Sequence, residues 1–284
     1  MNNQSGVPRI LIALLLAGII GIGLIGAGGF FFYKNVVQKR AKNQQAMKEL
    51  TAVSDQINQE MRDKIGKEDT VDGAAAKAKE IEDAMGRAAS KASGDEAKGM
   101  RAAQHIMGAM QTFVANYEKA YSAFGSKGGV EPGSFKSDAD FDERLALLKT
   151  FSSANDDFMG FLKGVDGRFR AELAKENVGA KTADEMTKGF YKGGNIDKLV
   201  AIRATDQDLC ATMDKYLQLL KREWGNWETK EGTVVFKRAG VIEEFNGYAT
   251  HIQEVANRQM ELQQQVLKAQ QQQQQRRAGA AVAR

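Results

Sequence analysis

GIGLIGAGG, Gly21 to Gly29, decides how the first part of this chain is read. Its opening six residues, Gly21-Ile22-Gly23-Leu24-Ile25-Gly26, satisfy the G-x-G-x-x-G pattern of a dinucleotide-binding turn. Such a turn needs a short strand before it, a helix after it, and a parallel sheet built from repeats of that unit. Here the apolar run neither stops nor turns: no position from Ile10 to Tyr33 carries a charge. At about 1.5 Å rise per residue this segment would form a helix roughly 36 Å long, enough to cross a hydrocarbon core of about 30 Å. The downstream sequence lacks the alternation of strand and helix that a dinucleotide-binding sheet requires. The stretch is therefore read as part of a glycine-rich transmembrane helix over residues 10–33, preceded by a short flank, 1–9.

Within that helix Ala13, Ala17 and Gly21 recur every four residues, as do Gly23 and Ala27. Small side chains at this spacing let another helix approach closely, so these positions form a candidate membrane packing face. Phe30, Phe31, Phe32 and Tyr33, followed by Lys34, supply the aromatic and basic end that suits a membrane–water boundary. The residues after Gly26 stay apolar, with no A-x-A site before a polar stretch, which argues for a retained anchor over a cleaved signal peptide. Lys34, Lys39, Arg40, Lys42 and Lys48 outnumber Arg9 on the other flank, and this bias places the large domain in the cytoplasm. The competing expectation is an uncleaved signal anchor that exports everything after it.

Beyond the membrane the expected partner list is short: the lipid bilayer, protein partners or a second copy of the chain, and no nucleic acid. A net charge of +4 over 284 residues falls well short of the dense basic face of a nucleic-acid binder. The chain is 43% hydrophobic and 27% charged, the composition of a domain able to bury a core. Two prolines in this length leave room for long uninterrupted helices. Cys210 is the only cysteine, so neither an internal disulfide framework nor a cysteine-based zinc cluster can form.

Apolar spacing of three and four predicts helices through the rest. A stalk over 34–66 carries Met47, Leu50, Val53, Ile57, Met61 and Ile65. A helical-bundle domain then spans 67–268. Its first helix presents a narrow, small seam: Ala74, Ala78, Ile81, Met85, Ala88 and Ala92. Ser93 and Glu96 match a capping box opening the best heptad run of the chain: Met100, Ala103, Met107, Met110, Val114, Tyr117, Tyr121 and Phe124. GSKGGVEPG, Gly125 to Gly133, is the strongest break, and 125–137 is a possible sub-domain boundary. A long helix is expected over about 138–175, with Gly167 as a possible kink. A shorter helix begins at Thr182, capped with Glu185, and ends at Gly193-Gly194. Another, from Ile196 to about Trp224, carries Leu209, Met213, Leu217 and Leu220. Thr233 to Phe236 reads as one arm of a small β-hairpin, with Trp227 on the other. The last helix starts near Ala239 and gives way to a Gln-rich tail, 269–284, expected to be a frayed helix end or a disordered tail. The whole is an all-α chain: one transmembrane helix followed by an elongated antiparallel helical bundle, with one small hairpin.

Candidate chemistry is sparse. The two histidines, His105 and His251, fall on different helices without a recognisable signature, and read as packed or surface residues. Met100, Met107 and Met110 read as flexible core packing in preference to soft-metal ligands. No P-loop, H-E-x-x-H, G-x-S-x-G, C-x-x-C-H or EF-hand pattern occurs. No cofactor, metal or catalytic residue is assigned. The candidate interaction seam is Met107, Met110, Val114 and Tyr117, should these pair between chains, together with Trp224 and Trp227 as anchors. The sequence thus points to a single-pass membrane-anchored interaction, scaffold or tethering module. The alternative is an outward-facing sensory or ligand-binding bundle; an unrecognised enzyme using a pocket near the Gly-Pro loop or the tryptophans is a third reading.

Overall fold

A computed structural model describes residues 74–230 and 232–282, together with the isolated helical positions 52, 53, 56 and 59. The transmembrane segment 10–33, with Ala13, Ala17, Gly21, Gly23 and Ala27, lies outside the described residues, as does the stalk apart from those four positions. Among the described residues no helix is long and apolar enough to cross a membrane.

The described chain is mostly helical: α1 (Ala74–Lys91), α2 (Asp95–Ser126), a single 3-10 turn (Pro132–Ser134), α3 (Asp138–Lys163), α4 (Val165–Lys175), α5 (Ala180–Gly193), α6 (Ile196–Arg222), strands β1 (Trp227–Lys230) and β2 (Thr233–Phe236), and α7 (Gly240–Val282). The strands form the expected antiparallel hairpin, in the register Trp227↔Phe236 to Lys230↔Thr233. Gly232 supplies the positive φ, +79°, that a tight turn demands.

Neighbouring helices run antiparallel, as their cross-contacts show. Gln111 of α2 donates to Glu82 of α1, while Gln104, seven residues earlier on α2, lies beside Gly86. Tyr121 and Phe113 of α2 meet Phe151 and Phe161 of α3. Lys221 of α6 bonds Asp142 at one end of α3, and Gln207 bonds Asp156 near the other. Arg222 reaches Glu244 at the start of α7, and Lys198 reaches the Gln265 carbonyl a long way along it. The resulting core is one continuous apolar cluster drawing on every helix and both strands. Small seams set the α1–α2 spacing. Ala78, Ala84 and Ala88 of α1 and Ala102 and Ala103 of α2 are buried, and a Cβ built on Gly108 would lie 3.0 Å from Glu82 Oε1.

Four boundaries differ from the sequence reading. Gly94, not Ser93, takes the cap position of α2, with φ +71°. The Asp138–Lys175 helix is two helices, divided at Gly164 rather than Gly167. The Gly164 N–H bonds back to the Gly160 and Phe161 carbonyls, and α4 restarts at Val165 so that Val165, Phe169 and Leu173 are buried. There Phe169 stacks on Phe190 of α5 at 4.3 Å. α5 starts at Ala180, with Gly179 at its cap, so Thr182 lies inside the first turn. Finally, α7 continues through Gln270 to Gln275 and ends at Val282, in line with the good helix propensities of Gln, Arg and Ala. The capping box that does form is Ser137 with Asp140, whose Oδ2 accepts from the backbone N–H of Ser137 at 2.9 Å and of Lys136 at 2.6 Å.

Candidate functional site

The heptad face picked out on α2 is consumed inside the molecule. Met107, Met110 and Val114 are fully buried and Tyr117 nearly so, all within the chain's own core. The two tryptophans part company. Trp227, in β1, is buried and donates its indole N–H to the Leu220 carbonyl at 2.9 Å, which fastens the hairpin to the end of α6. Trp224, just past α6, keeps 37% of its surface exposed. Both join an aromatic end-group with Phe141 of α3: the Trp224 ring lies 5.3 Å and the Trp227 ring 6.5 Å from it, edge-on, and Phe135 stacks on its face at 4.1 Å. Arg144 lies over Phe135 at 5.2 Å and donates to the Gly129 carbonyl, pinning the Gly-rich loop to this end.

The least expected feature is a charged cluster at the centre of the bundle. Asp206 of α6 is 1% exposed and Arg203, one turn before it, 5%; their ion pair spans 3.0 Å. Asp206 also accepts from the Tyr117 hydroxyl of α2 at 3.1 Å and from Gln259 Nε2 of α7 at 2.6 Å. The Arg203 guanidinium lies 4.4 Å over the Tyr117 ring and 5.6 Å from that of Phe158. Asn155 of α3 completes the group by donating to the Arg203 carbonyl at 2.9 Å. Four helices therefore meet on one pair of charges. Burial pushes the Asp206 carboxyl above the usual range, against the help of Arg203, Gln259 and Tyr117. Burial also opposes charge on Arg203, but Asp206 and Tyr117 beside it hold the guanidinium above its usual value. The Tyr117 hydroxyl is pushed far up, chiefly by burial, and stays a donor. A stripe on α6 beginning at Leu209 misses this group. Its signal is the polar pair Arg203 and Asp206, three apart, interrupting the apolar series Leu199, Ile202 and Leu209, and matched on α7 by Gln259 between Val255 and Val266.

The remaining polar residues are spread out. His105 contacts Glu172 at 3.0 Å and His251 contacts Asp208 at 2.9 Å, each histidine about half exposed. Arg101 pairs with Glu176 at 2.6 Å, tying α2 to the end of α4 and holding the Glu176 carboxyl below its usual value. Cys210 is buried, which pushes its thiol well up and away from reactivity. Among the described residues no group of three His, Cys, Asp or Glu side chains could hold a metal ion. Arg203 Nη1, Asn155 Oδ1 and Gln259 Oε1 are buried without a hydrogen-bond partner among the described residues, while Asp206 holds Arg203, Tyr117 and Gln259 together away from water. That is an arrangement suited to fixing helices in place. No known protein family, no curated protein and no solved structure matches the chain.

Proposed function

We propose that this chain is a single-pass membrane-anchored protein whose helical bundle serves as an interaction, scaffold or tethering module, with the bundle in the cytoplasm. The observation that carries this reading is the polarity of the bundle. The hairpin, the Gly-rich loop and the aromatic group occupy one end, and α1 runs away from that end. α7 leaves at the opposite end. Lys198, near the start of α6, already bonds Gln265, and α7 continues to Val282. Residues 269–282 therefore run about 20 Å beyond the helix they pack against, at 1.5 Å per residue. Gln271, Gln272 and Gln275 are exposed there. A bundle with one polar helix extended beyond it is the layout of a spacer.

Self-association falls in this reading to the membrane segment, through Ala13, Ala17 and Gly21 or Gly23 and Ala27, because Met107, Met110, Val114 and Tyr117 are taken up in the core. A ligand held between the helices has less support, since the Asp206 carboxylate at the bundle centre is already taken by Arg203, Tyr117 and Gln259. Topology tests the reading. An enzymatic reporter that works only in the cytoplasm, fused after Arg284, is expected to be active. Activity restricted to a reporter that works only outside would replace the cytoplasmic tether with an exported bundle. Cross-linking of the full chain in membranes is expected to yield dimers that Gly21→Leu with Gly23→Leu abolishes.

A further inference from the structure

We propose that the Arg203–Asp206 pair and its partners act as a register key, selecting one sliding position of α2, α3, α6 and α7 from several that the apolar seams alone would accept. The apolar side of the argument is compositional. The α2 seam is Met100, Ala103, Met107, Met110 and Val114, and α6 adds Met213 to the same core. Methionine adapts to irregular gaps and alanine presents little shape. Shifting α2 by one turn, about 5.4 Å, exchanges Met for Met or Ala at small cost, so its seam specifies register weakly.

The charged cluster removes that freedom. Tyr117 contributes from α2, Asn155 from α3, Arg203 and Asp206 from α6, and Gln259 from α7. Arg203 and Asp206 share a helix and travel together, so sliding α6 would carry both away from Tyr117, Asn155 and Gln259. Sliding α7 alone would take Gln259 from Asp206, and sliding α2 alone would take the Tyr117 hydroxyl from Asp206 and its ring from beneath Arg203. Each slip leaves buried polar groups without their partners, which is costly where no water can replace them. Single buried polar positions fix register and partner choice in coiled coils by the same logic. The exposed ties between these helices, Arg222–Glu244 at 2.7 Å and His251–Asp208 at 2.9 Å, sit in water and hold register far less firmly.

Distance measurements between spin labels on the full chain in detergent test this. Ala115→Cys on α2 paired with Arg258→Cys on α7 reads the position of α7 relative to α2, and Ala115→Cys with Lys215→Cys reads that of α6, both in a Cys210→Ala background. All three label positions are exposed. The parent is expected to give one narrow distribution for each pair. Arg203→Met combined with Asp206→Leu, with its helical signal kept, is expected to give broad or two-peaked distributions, with a second peak displaced by about one turn. Narrow, unmoved peaks in that variant would overturn the proposal. Should that variant lose its helical signal, Gln259→Leu decides, because it leaves the Arg203–Asp206 pair in place. It is expected to broaden the α2–α7 distance while the α2–α6 distance stays narrow, and a narrow α2–α7 peak would overturn the proposal.

Discussion

Replacing Arg203 with Met leaves Asp206, 1% exposed, facing Tyr117 and Gln259 without a counter-charge. Breaking a buried pair from one side costs about 3–5 kcal/mol, so urea unfolding of Arg203→Met should show a loss of that size at neutral pH. The loss should shrink in acid. Burial already holds the Asp206 carboxyl above its usual value of 3.8 in the folded chain, and removing Arg203 raises it further. A group raised on folding favours the folded state below its unfolded value and loses that contribution as pH rises through the folded value. The variant should therefore approach the parent near pH 4 and fall away from it toward neutrality, and a pH-independent difference would contradict the assignment. At the aromatic end the two tryptophans make a contrast of the same kind. Trp227→Ala opens a cavity and removes the bond to the Leu220 carbonyl, and should cost about 3–5 kcal/mol. Trp224→Ala removes a side chain already 37% exposed and should cost clearly less in the same unfolding measurement.

At the scale of the elements, two glycines carry opposite expectations. Gly164 divides α3 from α4 with φ −99°, and an added Cβ would meet only ordinary contacts, the nearest 3.6 Å away at the Gly160 carbonyl. Gly164→Ala should be neutral or stabilise by up to about 1 kcal/mol, since alanine narrows the unfolded ensemble. Gly128 has φ +93°, and its Cβ would lie 2.7 Å from that of Ser134. Gly128→Ala should destabilise by about 1–3 kcal/mol and loosen the loop that Arg144 pins. Thermal melts of both variants separate these outcomes. The helices and the hairpin were legible in the sequence because periodicity of three to four, the run TVVF and the aromatic Trp227 are local signals. The α3–α4 division was not. Several glycines offer a break in that stretch, and the choice of Gly164 is made by where Phe169 must turn to stack on Phe190, a contact between distant residues. Nor was it legible that the α2 seam closes on its own chain, because a heptad reads the same whether its partner is a second copy or the next helix. The central cluster escaped for a related reason. Arg203, Asp206, Asn155 and Gln259 are ordinary surface residues by type, and only the fold brings them together.

For the whole molecule, the account joins an uncharged segment from Ile10 to Tyr33 to a bundle whose apolar faces are closed within the chain. A bundle so closed has little reason to adhere to lipid by itself, so retention at a membrane must come from the leading segment. The proposed reading has the bundle on the cytoplasmic side, and the run of α7 past α6 extends a polar helix beyond the bundle. The most direct measurement is alkaline carbonate extraction of membranes carrying the full chain, beside a form lacking residues 10–33. The account predicts that the full chain stays with the lipid pellet and that the shortened form is released as a helical protein. A full chain found in the carbonate supernatant would contradict it.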